Sequence, residues 1–203
     1  MKGLEVGSRA ALLISEMQNG ITNPAYNDSP LIRQVAERQL PARINRLADG
    51  FRTAGLPVIH CTISARPDLL AWPVNCVLAA RIAKEGRLIA GSTFAAIHDD
   101  ITVADTDMVS ARHHGMAPFT GTELATTLRN FGITTVVFAG VSTNVALMGG
   151  SVEAVGNGFN VVIAEDCAAG GTAETHQIQI TMHLPLIATI GSMDEVLASD
   201  ALQ

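Results

Sequence analysis

The sequence predicts an α/β protein built on a parallel sheet. Short apolar runs closed by turn residues alternate with longer segments of helical period. The run "TTVVFA" leads directly into a helical segment and then into "NVVIA", a clear βαβ unit. Of the 203 residues, 48% are hydrophobic and 16% charged, enough apolar material for one packed core, so a single domain over residues 1–203 is expected.

Strands are expected at 10–15, 57–62, 108–111, 134–139, 160–164 and 187–190. The first two flank a helix over 41–54, which opens at Pro41, presents Leu40, Ile44, Leu47 and Phe51 on one side and stops at Gly55. The stretch "GTELATTLRNFG" reads as a second helix ended by Gly132, and a third is expected over 143–155, with Ser142 and Thr143 as hydroxyl caps. Gly149 and Gly150 lie inside that helix and imply close packing against a neighbour. Residues 64–100 break the strand pattern; Trp72, Pro73 and "VLAARIA" suggest an excursion with one short helix, a lid or an interface. Two last helices are expected at 173–182 and 194–198.

Net charge is −6 and the basic residues are scattered, which argues against nucleic acid or an acidic membrane surface and leaves small neutral or anionic substrates open. The apolar run at 10–14 is too short for a signal segment, and nothing else has the length of a membrane span. Cys61, Cys76 and Cys167 are odd in number and widely spaced, so neither a disulfide framework nor a zinc knuckle is expected, and a reducing cytoplasm fits best. There is no HExxH, GxGxxG or GxxxxGK[ST], and "GVSTN" lacks the second glycine of a nucleophile elbow, so no metal and no cofactor is expected.

Ligands of an open parallel sheet bind beyond the carboxyl ends of the strands. Four expected strand ends carry polar residues: Glu16, Gln18 and Asn19; Cys61; Arg112, His113 and His114; and Ser142 to Asn144. Glu16 stands where an apolar run ends and is the leading candidate for a site carboxylate. Cys61 and Cys167 read as small buried hydrophobes, His60 as a core or edge histidine, and His98, His176 and His183 show no ligand spacing.

Together "ALLISEMQNG", "RHHGMAPFTGTEL", "TTVVFAGVSTNVALMGGSVEAVGNGFNVVIAEDCAAG" and "ATIGSMDEVL" resemble the isochorismatase-like hydrolases, also called the cysteine hydrolase superfamily, over nearly the whole chain. The resemblance implies a Rossmann-like three-layer α/β/α fold with a six-stranded, mostly parallel sheet, assembled as a dimer or tetramer. It also implies a cis peptide at Val141 and Ser142 and an Asp, Lys, Cys triad. The cysteine position, six residues after Gly140, is Ala146, and the aspartate position is Glu16. Counting back from Phe119 puts the lysine position at His113, or at Arg112 with one inserted residue; strand alternation favours Arg112 together with His114.

A hydrolase without a cysteine nucleophile is therefore expected, with Glu16 as general acid or base and Arg112 and His114 beside it. Its substrate, a neutral or anionic amide, lactone or vinyl ether, would meet Gln18, Asn19, His113, Val141, Ser142, Asn144 and Ala146. The alternative is a small-molecule-binding or partner-binding pseudoenzyme. Trp72, Cys76 and Phe94 are candidates for the rim, and the apolar segments around Trp72 and after His183 for subunit contacts.

Overall fold

The computed structural model describes residues 1–203. Strand β1 (Ala10–Ser15) is buried along its whole length because it is paired on both sides, with β2 (Val58–Ile63) and with β4 (Thr135–Val141). Beyond β2 lies β3 (Met108–Arg112), an edge strand; beyond β4 lie β5 (Asn160–Ala169) and β6 (Thr189–Gly191). The order β3-β2-β1-β4-β5-β6 is parallel throughout, so the strand order reverses between β1 and β4. A ligand cleft belongs at the carboxyl ends of those two strands.

Helices cover both faces. Helix α1 (Asn19–Thr22) is a single turn; α2 (Pro30–Glu37) is capped by Ser29, and α3 (Leu40–Thr53) buries the expected Leu40, Ile44, Leu47 and Phe51. With α8 (Met193–Leu197), α3 packs on the face carrying Leu12, Ile14, Val137 and Val162. The opposite face, with Leu13, Cys61, Phe138 and Ile163, is covered by α5 (Leu124–Asn130) and α6 (Ala146–Gly156). Helix α4 (Val77–Glu85) forms a satellite core with Trp72, Ile63 and Leu88. Gly150 permits the close approach of α6: a Cβ there would come within 2.9 Å of Pro118 Cδ and 3.0 Å of Phe138 Cζ. No helix is long and apolar enough to cross a membrane.

Several boundaries differ from the sequence expectation. Helix α2 was not expected, although "SP" carries a cap and an N1 proline. Helix α6 starts at Ala146, not at 143; its N-cap is Val145, without a side-chain bond, so Ser142 and Thr143 are not its caps. Residues 142–145 instead form a turn in which Ser142 O accepts from Val145 N at 3.1 Å and Leu147 N at 3.0 Å. Strand β5 extends to Ala169, five residues past its apolar run, because a register shift after Phe138 pairs Gly140 with Ala168 and Val141 with Ala169. The expected helix over 173–182 divides into α7 (Ala173–Ile178) and a π turn over Gln179–His183.

Candidate active site

Glu16 follows the last residue of β1 in a left-handed conformation, φ 51°, an arrangement that costs a non-glycine residue on the order of 1 kcal/mol or more. Its N–H donates to Cys61 O at 2.9 Å, which fixes the turn against β2. Arg112, the last residue of β3, is 1% exposed, and its Nη2 donates to Glu16 Oε1. Arg112 thus reaches across β2 to bind the end of β1.

Burial raises the Glu16 carboxyl above the ordinary carboxylate range; the charge and hydrogen bond of Arg112 pull the other way and do not overcome it. Burial likewise pushes the Cys61 thiol up to about 12, with Arg112 opposing and Glu16 reinforcing the shift. The Cys167 thiol is also raised, chiefly by burial and then by Asp166. Neither buried cysteine is therefore a thiolate near neutral pH.

The other expected site residues separate into distinct groups. Gln18, fully buried, donates from Nε2 to Ile63 O at 2.9 Å and Ala95 O at 2.7 Å and accepts at Oε1 from Ile63 N at 2.8 Å. Asn19 donates from Nδ2 to Thr93 O and Asp99 Oδ1 and accepts at Oδ1 from Asn23 Nδ2 and Asp99 N. These two amides bind the chain to itself, tying the end of β1 to residues 93–99. Val141 is buried in β4, Ser142 and Asn144 are half-buried in the following turn, and Ala146 opens α6 at 1% exposure. The Val141–Ser142 peptide is cis. Asn144 Oδ1 accepts from Gly171 N at 2.9 Å.

Of the three residues "RHH", only Arg112 binds Glu16. Strand β3 ends at Arg112, so the alternation that would pair it with His114 stops there. His113 is exposed, its Nδ1 3.0 Å from Ser64 O. His114 is exposed against Gly121 and, with Trp72, Cys76, Met116 and Thr120, lines a separate cavity of about 410 Å³. Phe94 lies over Gly20 and makes an edge-on contact with Tyr26 at 5.2 Å. A further cavity of about 390 Å³, lined by Ile32, Val35, Pro41 and His98, lies between α2 and α3 and includes neither Glu16 nor Arg112.

Sequence reasoning passed over a second, partly buried chain of groups. Arg38 Nη2 donates to Glu165 Oε1 at 2.5 Å, His176 Nε2 lies 3.0 Å from the same oxygen, and His176 Nδ1 lies 3.4 Å from Thr143 Oγ1. His176, followed by the Arg38 contact, holds the Glu165 carboxyl down at about 2. This chain braces the turn before α6, and only the buried polar character of Thr143 could have hinted at it. Ser15 was also missed, although it is the one polar residue in "AALLIS". No three His, Cys, Asp or Glu side chains converge to hold a metal ion.

A doubly wound parallel sheet with a carboxylate at the end of β1 and a tight turn after β4 defines an α/β/α protein whose strand order reverses between those two strands. The isochorismatase domain model matches residues 10–195, and the chain belongs to the isochorismatase family of hydrolases. It is 31% identical over 198 residues to an uncharacterized isochorismatase family protein, YecD, of Escherichia coli O157:H7, covering 96% of this chain and 98% of that one. It is 27% identical over 176 residues to the maleamate amidohydrolase of Pseudomonas putida, covering 86% and 78%. In fold it is similar to an isochorismatase family protein from Desulfovibrio vulgaris, with a TM-score of 0.81, 23% identity and coverage of 95% and 100%.

Proposed function

We propose that this protein hydrolyses a small molecule without a cysteine nucleophile, with Glu16 as its general acid and base. The observation that carries this reading is a largely buried carboxylate, shifted toward its protonated form, bound to one arginine at the sheet's strand reversal. In its acid form Glu16 gives a proton to the scissile group of an amide, lactone or vinyl ether. Water adds at the electrophilic carbon, and the proton it sheds returns to Glu16. Arg112 stabilises the carboxylate during the interval in which the proton is away.

The N–H groups of Ala146 and Met148, which Ser142 O leaves free in the first turn of α6, serve developing negative charge, with Ser142, Asn144 and the small side chain of Ala146 beside them. Gln18 and Asn19 act by holding the end of β1 in place, whereas His113 and His114 lie outside this site. The thiol of Cys61, held protonated by burial, favours this acid–base route over attack by a substitute cysteine.

The test is a panel of small amides, lactones and vinyl ethers, with product analysis. Maleamate heads the panel because it is the substrate named for the P. putida relative. Turnover is expected to fall by about 10² to 10⁴ in Glu16→Gln, the usual yield of general acid–base catalysis, and to survive iodoacetamide. Full activity in Glu16→Gln, or loss on alkylation, overturns the assignment.

A further inference from the structure

Five buried side-chain polar atoms lack a hydrogen-bond partner, and three of them are Ser15 Oγ, Arg112 Nε and Arg112 Nη1. Ser15 pairs with Cys61 across β1 and β2, and alternation places it with Ala11 and Leu13 on the face that carries Cys61. Arg112 comes to Glu16 from the far side of β2, so its guanidinium lies over that same patch. A guanidinium has five N–H donors, and here the single side-chain acceptor bound to it is Glu16. Leaving buried donors unmatched is costly, and such groups in a folded protein call for a partner.

The chemistry of the patch selects that partner. The Ser15 hydroxyl and the free guanidinium N–H groups are all able to donate, while the Cys61 thiol beside them already donates to Ile59 O. When Glu16 is neutral, the patch also carries an uncompensated positive charge. A water supplies two lone pairs and no charge; a carboxylate supplies about four acceptor sites and the missing negative charge. We infer that Ser15 and the free N–H groups of Arg112 form a subsite for the carboxylate of a small anionic ligand, entered past the partly exposed side chain of Glu16. The inference rests on the reading of this strand end as the substrate site.

One consequence follows for the proton on Glu16. The charge acting on Glu16 is that of Arg112, with the Cys61 thiol of β2 beside both. A bound carboxylate competes with ionised Glu16 for the same cation, so it favours the protonated acid. By reciprocity, protonation of Glu16 favours the anion. An anionic substrate would thereby charge its own general acid on arrival.

The experiment titrates the full-length protein with sodium formate, ionic strength held constant with sodium chloride, while following the Arg112 Nε–H signal by NMR and the melting temperature. Formate is expected to shift that signal and raise Tm, with Kd increasing up to about tenfold per pH unit once pH exceeds the folded value of Glu16, the slope of one linked proton. Glu16→Gln should bind formate with no such slope. Ser15→Ala should bind several-fold more weakly, and Arg112→Gln not detectably. Should Arg112→Gln fail to fold, Arg112→Lys, which keeps the charge and loses the fork of donors, is expected to weaken binding at least tenfold.

An Arg112 signal indifferent to formate, meaning that water alone completes these donors, overturns the subsite; so does unchanged binding in the Arg112 variants. Turnover of a neutral lactone that depends on Glu16, without formate binding, ends this inference and leaves the hydrolytic reading. Formate binding without turnover of any panel member does the reverse.

Discussion

Two buried arginine–carboxylate pairs bracket β3, and they are built to opposite ends. At its start, Asp107 receives Arg52 Nε at 3.0 Å, Arg52 Nη2 at 2.6 Å, Ala104 N at 3.1 Å and a contact from His60 Nε2 at 3.0 Å. Arg52 gives two further donors to Asp49 Oδ1 and Thr102 O. At its end, Arg112 donates to Glu16 and leaves Nε and Nη1 unmatched. Burial pushes the Asp107 carboxyl up, yet the hydrogen bonds from Arg52, His60 and Ala104 together outweigh it and hold the group at about 2. In Glu16 the same competition goes to burial. A saturated pair fixes charge and anchors a strand; an unsaturated pair keeps its proton and its donors available for chemistry.

The contrast can be broken first at the saturated pair. Asp107→Asn leaves Arg52 and His60 without their common anion, and a loss of about 3 kcal/mol in urea unfolding is expected, the scale for breaking a buried pair. Arg112→Met should cost less than about 1 kcal/mol in the same assay, because burial raises Glu16 toward the form that needs no cation and the apolar side chain removes two orphaned donors. Equal losses in the two variants would erase the distinction between scaffold and site.

The pH dependence sharpens it further. Asp107 is depressed in the folded state, so its contribution is present above the unfolded carboxylate value and is lost as pH falls from about 4 toward 2. Glu16 is raised, so it weighs against folding as pH climbs past the unfolded carboxylate value, and the loss is complete above its folded value. Relative to the parent protein, Glu16→Gln should therefore gain stability between pH 4 and pH 8, by roughly a few degrees in Tm. A loss of stability unconnected with ligand binding is expected far from both pairs. Ser192→Ala removes the capping box that joins Ser192 to Glu195 at the start of α8, for about 1 kcal/mol and no change in ligand binding.

Strand identity was legible where the signal is local and apolar. The runs "AALLIS" and "TTVVFA" could hardly be anything but buried strands, and the helix face of Leu40, Ile44, Leu47 and Phe51 follows directly from its period. The limits appeared where long-range pairing decides. Nothing local in "EDCAA" indicates strand, because that stretch is extended by its register against β4. Glu16 and Arg112 were legible as polar residues at strand ends, but the roles of Gln18 and Asn19 depend on residues more than seventy positions away. Ser15 escaped notice because a hydroxyl completing an apolar strand looks unremarkable until its missing partner is seen.

The choice between Arg112 and His113 in the sequence is, in three dimensions, a question of how β3 slides along β2. An edge strand is held by hydrogen bonds on one side alone, and a slip of one residue turns every side chain to the opposite face. Arg112 would then point to the α3 side, away from Glu16, and His113 would take its place. The bond between Glu16 and Arg112 therefore serves as a detent that clicks only in the native alignment. An insertion within β3 would unseat it, whereas one in the exposed turn after His114 would leave it engaged.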